Sequence, residues 1–191
     1  MFEAVAVTIL PLGFLVVLFG GGALFLKRNI AQDGKAPINR TLFYASKYSI
    51  LVIWAAMVVQ SWGIGISVTE VPRPLHIIAL GLWVFGFVLL YAGRFTMADS
   101  FRLGTPEEET RLKTDGLFRF SRNPMYIGMY ATVAASALYT LNPVVILTGA
   151  FIIAIHHRIV LAEERHLQGV FGRDYAEYRS SVPRYIPLPL S

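Results

Sequence analysis

The chain has 191 residues and a formal net charge of +5, with 55% of its residues hydrophobic and only 15% charged, whereas a soluble domain carries about 25% charged residues. Apolar residues in long blocks exclude disorder, a collagen-like repeat and an ordinary water-soluble fold. The absence of cysteine excludes disulfides, thiolate metal sites and a cysteine nucleophile.

Five segments are predicted to be membrane-spanning helices, at residues 5–26, 48–68, 75–97, 124–141 and 143–160. The first lacks a basic stretch before its apolar run and is too long for a signal-peptide core, so it reads as a retained helix. Gly13, Gly20, Gly21, Gly22, Gly81, Gly86 and Gly93 lie inside apolar helices, where small residues let helices approach closely. Gly63-Ile64-Gly65 lacks the third glycine and the strand-to-helix setting of a dinucleotide-binding loop. The last two spans have 18 residues each, roughly 27 Å at the helical rise, just enough for the hydrocarbon core. They read as a tight hairpin turning at 139–143, with Asn142 capping the returning helix and Pro143 where its missing N–H costs nothing.

The basic residues decide between nucleic acid and membrane. Sixteen of the 17 Lys and Arg fall on one side of the five spans if the N-terminus is outside and the C-terminus cytoplasmic. A nucleic-acid-binding surface would not alternate with the spans in this way; basic loops of this kind suit anionic lipid head groups.

Two polar stretches are too elaborate for simple connections. Residues 94–126 contain Asp99-Ser100-Phe101-Arg102, the acidic run Glu107-Glu108-Glu109, and then a basic segment running into Asn123-Pro124 and the fourth span. Asn123 is expected to cap that helix, with Pro124 at its first position. Residues 151–189 follow the fifth span as it acquires His156, His157, Arg158, Glu163, Glu164, Arg165 and His166. His156 and Glu163 are seven apart and share a helix face. Ionisable groups at a membrane boundary mark a functional site unless, as Arg158 and Arg165 can, they merely snorkel to the interface. Residues 161–180 read as an amphipathic cytoplasmic helix, with Tyr175 and Tyr178 as interfacial anchors. The expected fold is therefore an all-α integral-membrane protein of five transmembrane helices, with a helical hairpin and a C-terminal amphipathic helix. Within this single membrane domain, 1–98 carries the first three spans, 99–123 a cytoplasmic connection, 124–160 the hairpin and 161–191 the C-terminal helix and tail.

Leu112, Thr114-x-Gly116-x-Phe118 and Arg122-Asn123-Pro124-Met125-Tyr126-Ile127-Gly128 resemble the cofactor motif of the integral-membrane methyltransferases. That superfamily includes isoprenylcysteine carboxyl methyltransferases and phospholipid N-methyltransferases. Glu163-Glu164-x-x-Leu167-x-x-x-Phe171-Gly172-x-x-Tyr175-x-x-Tyr178 and Val182-Pro183-Arg184-x-Ile186-Pro187 resemble its C-terminal signature. The likeness covers residues 99–187. It implies S-adenosylmethionine as cofactor and a lipid or lipidated acceptor, with an isoprenylcysteine-like carboxylate favoured over a phospholipid amine. It implies cofactor contacts from Thr110, Leu112, Lys113, Phe118, Asn123, Pro124, Met125, Tyr126 and Glu163, and catalytic roles for Arg158 and Glu164. Arg158 would position a carboxylate acceptor, and Glu164 or a nearby histidine would be the base for an amine. The chain departs from the pattern at Asn123, where the family usually has histidine, at Phe118, where tyrosine is common, and at Thr110, where another histidine can occur. Asparagine still offers hydrogen bonds but no titrating proton.

A sterol-type reductase using a nicotinamide cofactor has a similar C-terminal region but more spans. A histidine-ligated metal enzyme is disfavoured because adjacent His156 and His157 point about 100° apart on a helix. A non-enzymatic membrane protein would leave both polar stretches unexplained.

Overall fold

The computed structural model describes residues 1–27, 37–97 and 112–186, and in the first helix the side chains only as far as residue 19. The described residues form α1 (Phe2–Lys27), α2 (Arg40–Ser61), α3 (Arg73–Met97), a 3-10 turn (Gly116–Arg119), α4 (Pro124–Thr140) and α5 (Pro143–Ser181), with no strand among them. Four of these helices, α1, α2, α3 and α5, are long and apolar enough to cross a membrane. α4, at 17 residues, falls short of that length. Large apolar side chains face outward around the bundle, among them Ile9, Val16, Ile78, Val88 and Leu147, as expected of a multi-pass protein whose surface meets lipid.

Local chemistry sets the helix ends. Asn39 caps α2 by accepting from the amides of Thr41 and Leu42 (3.0 and 3.3 Å), so this helix starts eight residues before the predicted span. It ends at Ser61 rather than continuing to residue 68, because Gly63 takes a left-handed turn (φ 89°). Asn142 caps α5 through the amides of Val144 and Val145 (2.9 and 3.4 Å), and Pro143 occupies the first turn as predicted. Beyond the hairpin, α5 does not stop at the membrane edge. Its 39 residues would span roughly 58 Å at the helical rise, about twice the hydrocarbon core. The predicted span and the predicted C-terminal helix are thus one run, interrupted only at Gly172 (φ 50°, ψ −115°).

α4 is the hub. It runs antiparallel to α3, with Gly93 against Met125, Gly86 against Gly128 and His76 against Tyr139. It runs parallel to α2, with Trp54 donating to Thr132 Oγ1 (3.0 Å) and Gln60 to the Tyr139 carbonyl (3.0 Å). Among the described glycines, Gly86 and Gly128 come closest to another backbone: a Cβ on either would sit 2.7 Å from the other's carbonyl oxygen. This is the small-residue packing that the glycine-rich spans predicted, and it extends to Gly13 and Gly93. Gly81 does not share it; a side chain there would meet open space.

The core beside this crossing is aromatic. Phe14, Trp54, Trp83, Phe87 and Tyr91 meet mostly edge to face, an arrangement that suits the ring quadrupoles. Pro11 lies inside α1 and has no N–H for the carbonyl of Val7. Trp83 Nε1 donates to that carbonyl instead (3.2 Å), satisfying an acceptor that would otherwise be stranded in an apolar setting.

Candidate active site

The end of the bundle where α4 begins gathers the polar groups. Gly116 adopts a left-handed conformation (φ 58°) and starts the 3-10 turn, which buries Phe118. The Phe118 carbonyl accepts from Tyr178 Oη (2.8 Å). Tyr175, one turn earlier on α5, is 1% exposed and meets Tyr178 edge to face. Both tyrosines therefore face inward, a correction to their expected role as interfacial anchors: the 3-10 turn offers a carbonyl and an apolar seat that the membrane surface does not.

Glu164 forms the centre of the cluster. Its Oε1 accepts from Arg122 Nε and Nη2 (3.1 and 2.9 Å), and its Oε2 accepts from Arg184 Nε and Nη2 (3.1 and 2.9 Å). The Glu164 side chain is 8% exposed and that of Arg122 7%. Arg122 Nη1 donates further to the carbonyls of Arg179 and Val182, and its amide donates to the Pro183 carbonyl (2.9 Å). Ser121 Oγ and Asn123 Nδ2 both donate to the Arg184 carbonyl (3.1 and 3.2 Å), and Asn123 Nδ2 also reaches Glu164 Oε1 (3.3 Å). The C-terminal residues 182–186 are thereby fastened across residues 118–123. Hydrogen bonding to Glu164 raises the Arg184 guanidinium above its ordinary value.

Asn123 accordingly does not cap α4 with its side chain, contrary to expectation. The carboxylate and carbonyl opposite it hold its Nδ2, which fixes the side chain away from the capping geometry. The first amides of α4, at Met125 and Tyr126, are left without a side-chain cap, and such a helix start favours an anionic group. Tyr126, in that same first turn, donates through Oη to both oxygens of Glu163 (3.1 and 3.0 Å). The His156 ring lies 6.1 Å from that of Tyr126, so the shared face of His156 and Glu163 is closed by one tyrosine. His156 Nδ1 turns to the Ile152 carbonyl (2.9 Å) and His157 Nδ1 to Tyr185 Oη (2.8 Å), so the two imidazoles point apart.

Of the residues the resemblance singled out, Phe118, Asn123, Pro124, Met125, Tyr126, Glu163 and Glu164 converge here. Leu112 and Lys113 lead into the 3-10 turn, and Lys113 pairs with Asp115 (3.2 Å). Thr110 lies outside the described residues. Arg158 is exposed and lies about 120° from Glu164 and about 140° from Glu163 round α5. Sequence reading gave no role to Arg122, Arg184, Ser121, Tyr130 or Tyr185. The two arginines stood inside the quoted motifs, but their partnership across 62 positions has no periodic signature.

Residues 74–174 match the family model described as phospholipid methyltransferase. The chain is 30% identical over 116 residues to a protein-S-isoprenylcysteine O-methyltransferase B of Arabidopsis thaliana, covering 60% of this chain and 57% of that protein. It is 28% identical over 118 residues to the human protein-S-isoprenylcysteine O-methyltransferase, covering 60% and 42%. It is 26% identical over 165 residues to methanethiol S-methyltransferase 1 of Bradyrhizobium diazoefficiens, covering 79% and 55%. The aligned part spans about half the length of these relatives. No solved structure matches.

Proposed function

Because the chain belongs to the phospholipid methyltransferase family, we propose that it uses S-adenosylmethionine to methylate a lipid or lipidated acceptor at the cytoplasmic membrane surface. The observation that carries this reading is the pairing of an uncapped α4 start with the Tyr126–Glu163 contact in the same first turn. S-adenosylmethionine ends in an ammonium and a carboxylate, and this donor set is complementary to both. Glu163, whose oxygens share a single phenol donor, keeps lone pairs for the ammonium. The amides of Met125 and Tyr126 suit the carboxylate. Phe118, Met125 and Tyr126 supply the apolar and aromatic surface that adenine requires.

When bound, the cofactor supplies an electrophilic methyl group on a sulfonium. The protein contributes position, since in-line displacement requires donor and acceptor at about 3 to 3.5 Å with aligned orbitals. Glu164 serves this end as an anchor. Held by two guanidinium groups, it fixes Arg122, Asn123 and the tail around the start of α4, and it is poorly suited to take a proton from an amine. Arg158, exposed on the other flank of α5, draws an anionic acceptor to the membrane surface.

The isoprenylcysteine relatives favour a carboxylate acceptor. A thiol is the second reading, because the methanethiol relative aligns over the larger share of this chain. Labelled S-adenosylmethionine incubated with membranes containing the protein tests both. Label incorporated into lipid and released by mild base indicates a methyl ester, base-stable label indicates a thioether or methylamine, and no incorporation contradicts the proposal.

A further inference from the structure

Beside the Glu164 anchor lies a row of polar rings. Tyr130 stands one turn beyond Tyr126 on α4, their rings 6.3 Å apart. The Tyr130 and Tyr185 rings are 5.7 Å apart, and the His157 and Tyr185 rings 5.9 Å. Tyr185 is placed by its neighbour Arg184, which is fixed to Glu164, so the same staple that closes the tail sets this row. All three side chains are half-buried, neither sealed into the core nor fully in water.

The hydrogen-bond capacity of the row is not used up. With Tyr185 Oη donating to His157 Nδ1 (2.8 Å), the imidazole carries its proton on Nε2, for which no acceptor exists among the described residues. The Tyr130 and Tyr185 hydroxyls are 3.4 Å apart, too long to consume the Tyr130 proton well. Two neutral donors therefore remain, Tyr130 Oη–H and His157 Nε2–H. Burial raises the Tyr185 hydroxyl above its ordinary value, which keeps it protonated as the link between them. The cations nearby are otherwise engaged: Arg122 and Arg184 are both held by Glu164, and Arg158 lies on another flank of the helix.

From this arrangement we infer that Tyr130, Tyr185 and His157 orient the reacting carboxylate of the acceptor through neutral hydrogen bonds. The inference rests on the methyltransferase reading above and specifies the acceptor's reacting group. The chemistry favours neutral donors for this task. A carboxylate oxygen forms the new O–CH3 bond while the sulfonium S–CH3 bond breaks and its electron pair stays on sulfur. No proton is released, so no base is required. A guanidinium bound bidentately to that oxygen would hold the electron pair that must attack, whereas a phenol and an imidazole fix direction with less withdrawal of charge.

The test uses detergent-solubilised protein, labelled S-adenosylmethionine and N-acetyl-S-dodecyl-cysteine as the carboxylate probe, with S-adenosylhomocysteine binding measured in parallel. Tyr130→Phe and His157→Leu should each lower kcat/KM about tenfold, the worth of one hydrogen bond, with S-adenosylhomocysteine affinity within about twofold of wild type. His157→Gln, which retains an N–H donor near the Nε2 position, should recover most of the loss. The inference is overturned if these variants match wild type, if His157→Gln is as impaired as His157→Leu, or if the cofactor product binds but the probe is not methylated. Failure of wild type to bind S-adenosylhomocysteine would instead remove the methyltransferase reading itself.

Discussion

Glu3 and Glu164 each tie helices together at opposite ends of the bundle, but their surroundings differ in charge and burial. Glu3, its side chain 42% exposed, meets His76 Nε2 (3.0 Å) and the Tyr139 hydroxyl, joining the start of α1 to the start of α3 and the end of α4. Glu164, 8% exposed, faces two guanidinium groups and an asparagine amide. An exposed tie between groups that water also solvates adds little stability. A buried carboxylate whose removal strands two cations is a different object: the pair need not add net stability over an apolar replacement, yet breaking it is costly. The bundle thus has a permissive end and an over-determined one, and the over-determined end holds the candidate site.

Substitutions should reproduce that contrast in order. Glu164→Ala should have the largest effect, destabilising the protein by about 3 to 5 kcal/mol because Arg122 is left buried without its counter-charge; thermal unfolding in detergent reads this, and limited proteolysis should show the tail at 182–186 released. Arg184→Met should cost about 1 to 2 kcal/mol, since Arg184 is partly exposed and Arg122 still neutralises Glu164. Asn123→Leu removes the amide donor to Glu164 and to the Arg184 carbonyl and should cost about 1 kcal/mol. Asn123→His, which places the family's more usual residue there and keeps a donor, should stay closer to wild type by the same measurement. Glu3→Gln should cost less than about 1 kcal/mol. Equal losses from Glu3→Gln and Glu164→Ala would break the comparison.

The sequence announced the membrane character because blocks of apolar residues are long and the charges between them few. The hairpin at 139–143 was equally legible, since Asn-Pro after an apolar run has one local meaning. The extent of α2 and α5 was not. Charged residues such as Arg40, Lys47 and Glu163 looked like the ends of spans, but helix formation depends on caps and packing and continues into water where these allow. Gly172 was read as part of a signature and proved to be the interruption in α5. At the site, Glu163, Tyr126 and Asn123 were visible through motif resemblance, which placed them in one region without showing what each touches. The Arg122–Glu164–Arg184 staple and the Tyr130–Tyr185–His157 row depend on the tail folding back over the start of α4. No periodicity encodes such a long-range return.

The central claim is that the Tyr126–Glu163 end of the bundle binds the methyl donor, and titration calorimetry with S-adenosylhomocysteine tests it most directly. Wild type and Glu3→Gln should bind alike, while Glu163→Ala should bind about 100-fold more weakly through loss of a charge-assisted hydrogen bond. Undiminished binding by Glu163→Ala, or no binding of S-adenosylhomocysteine or S-adenosylmethionine by wild type, would contradict the account.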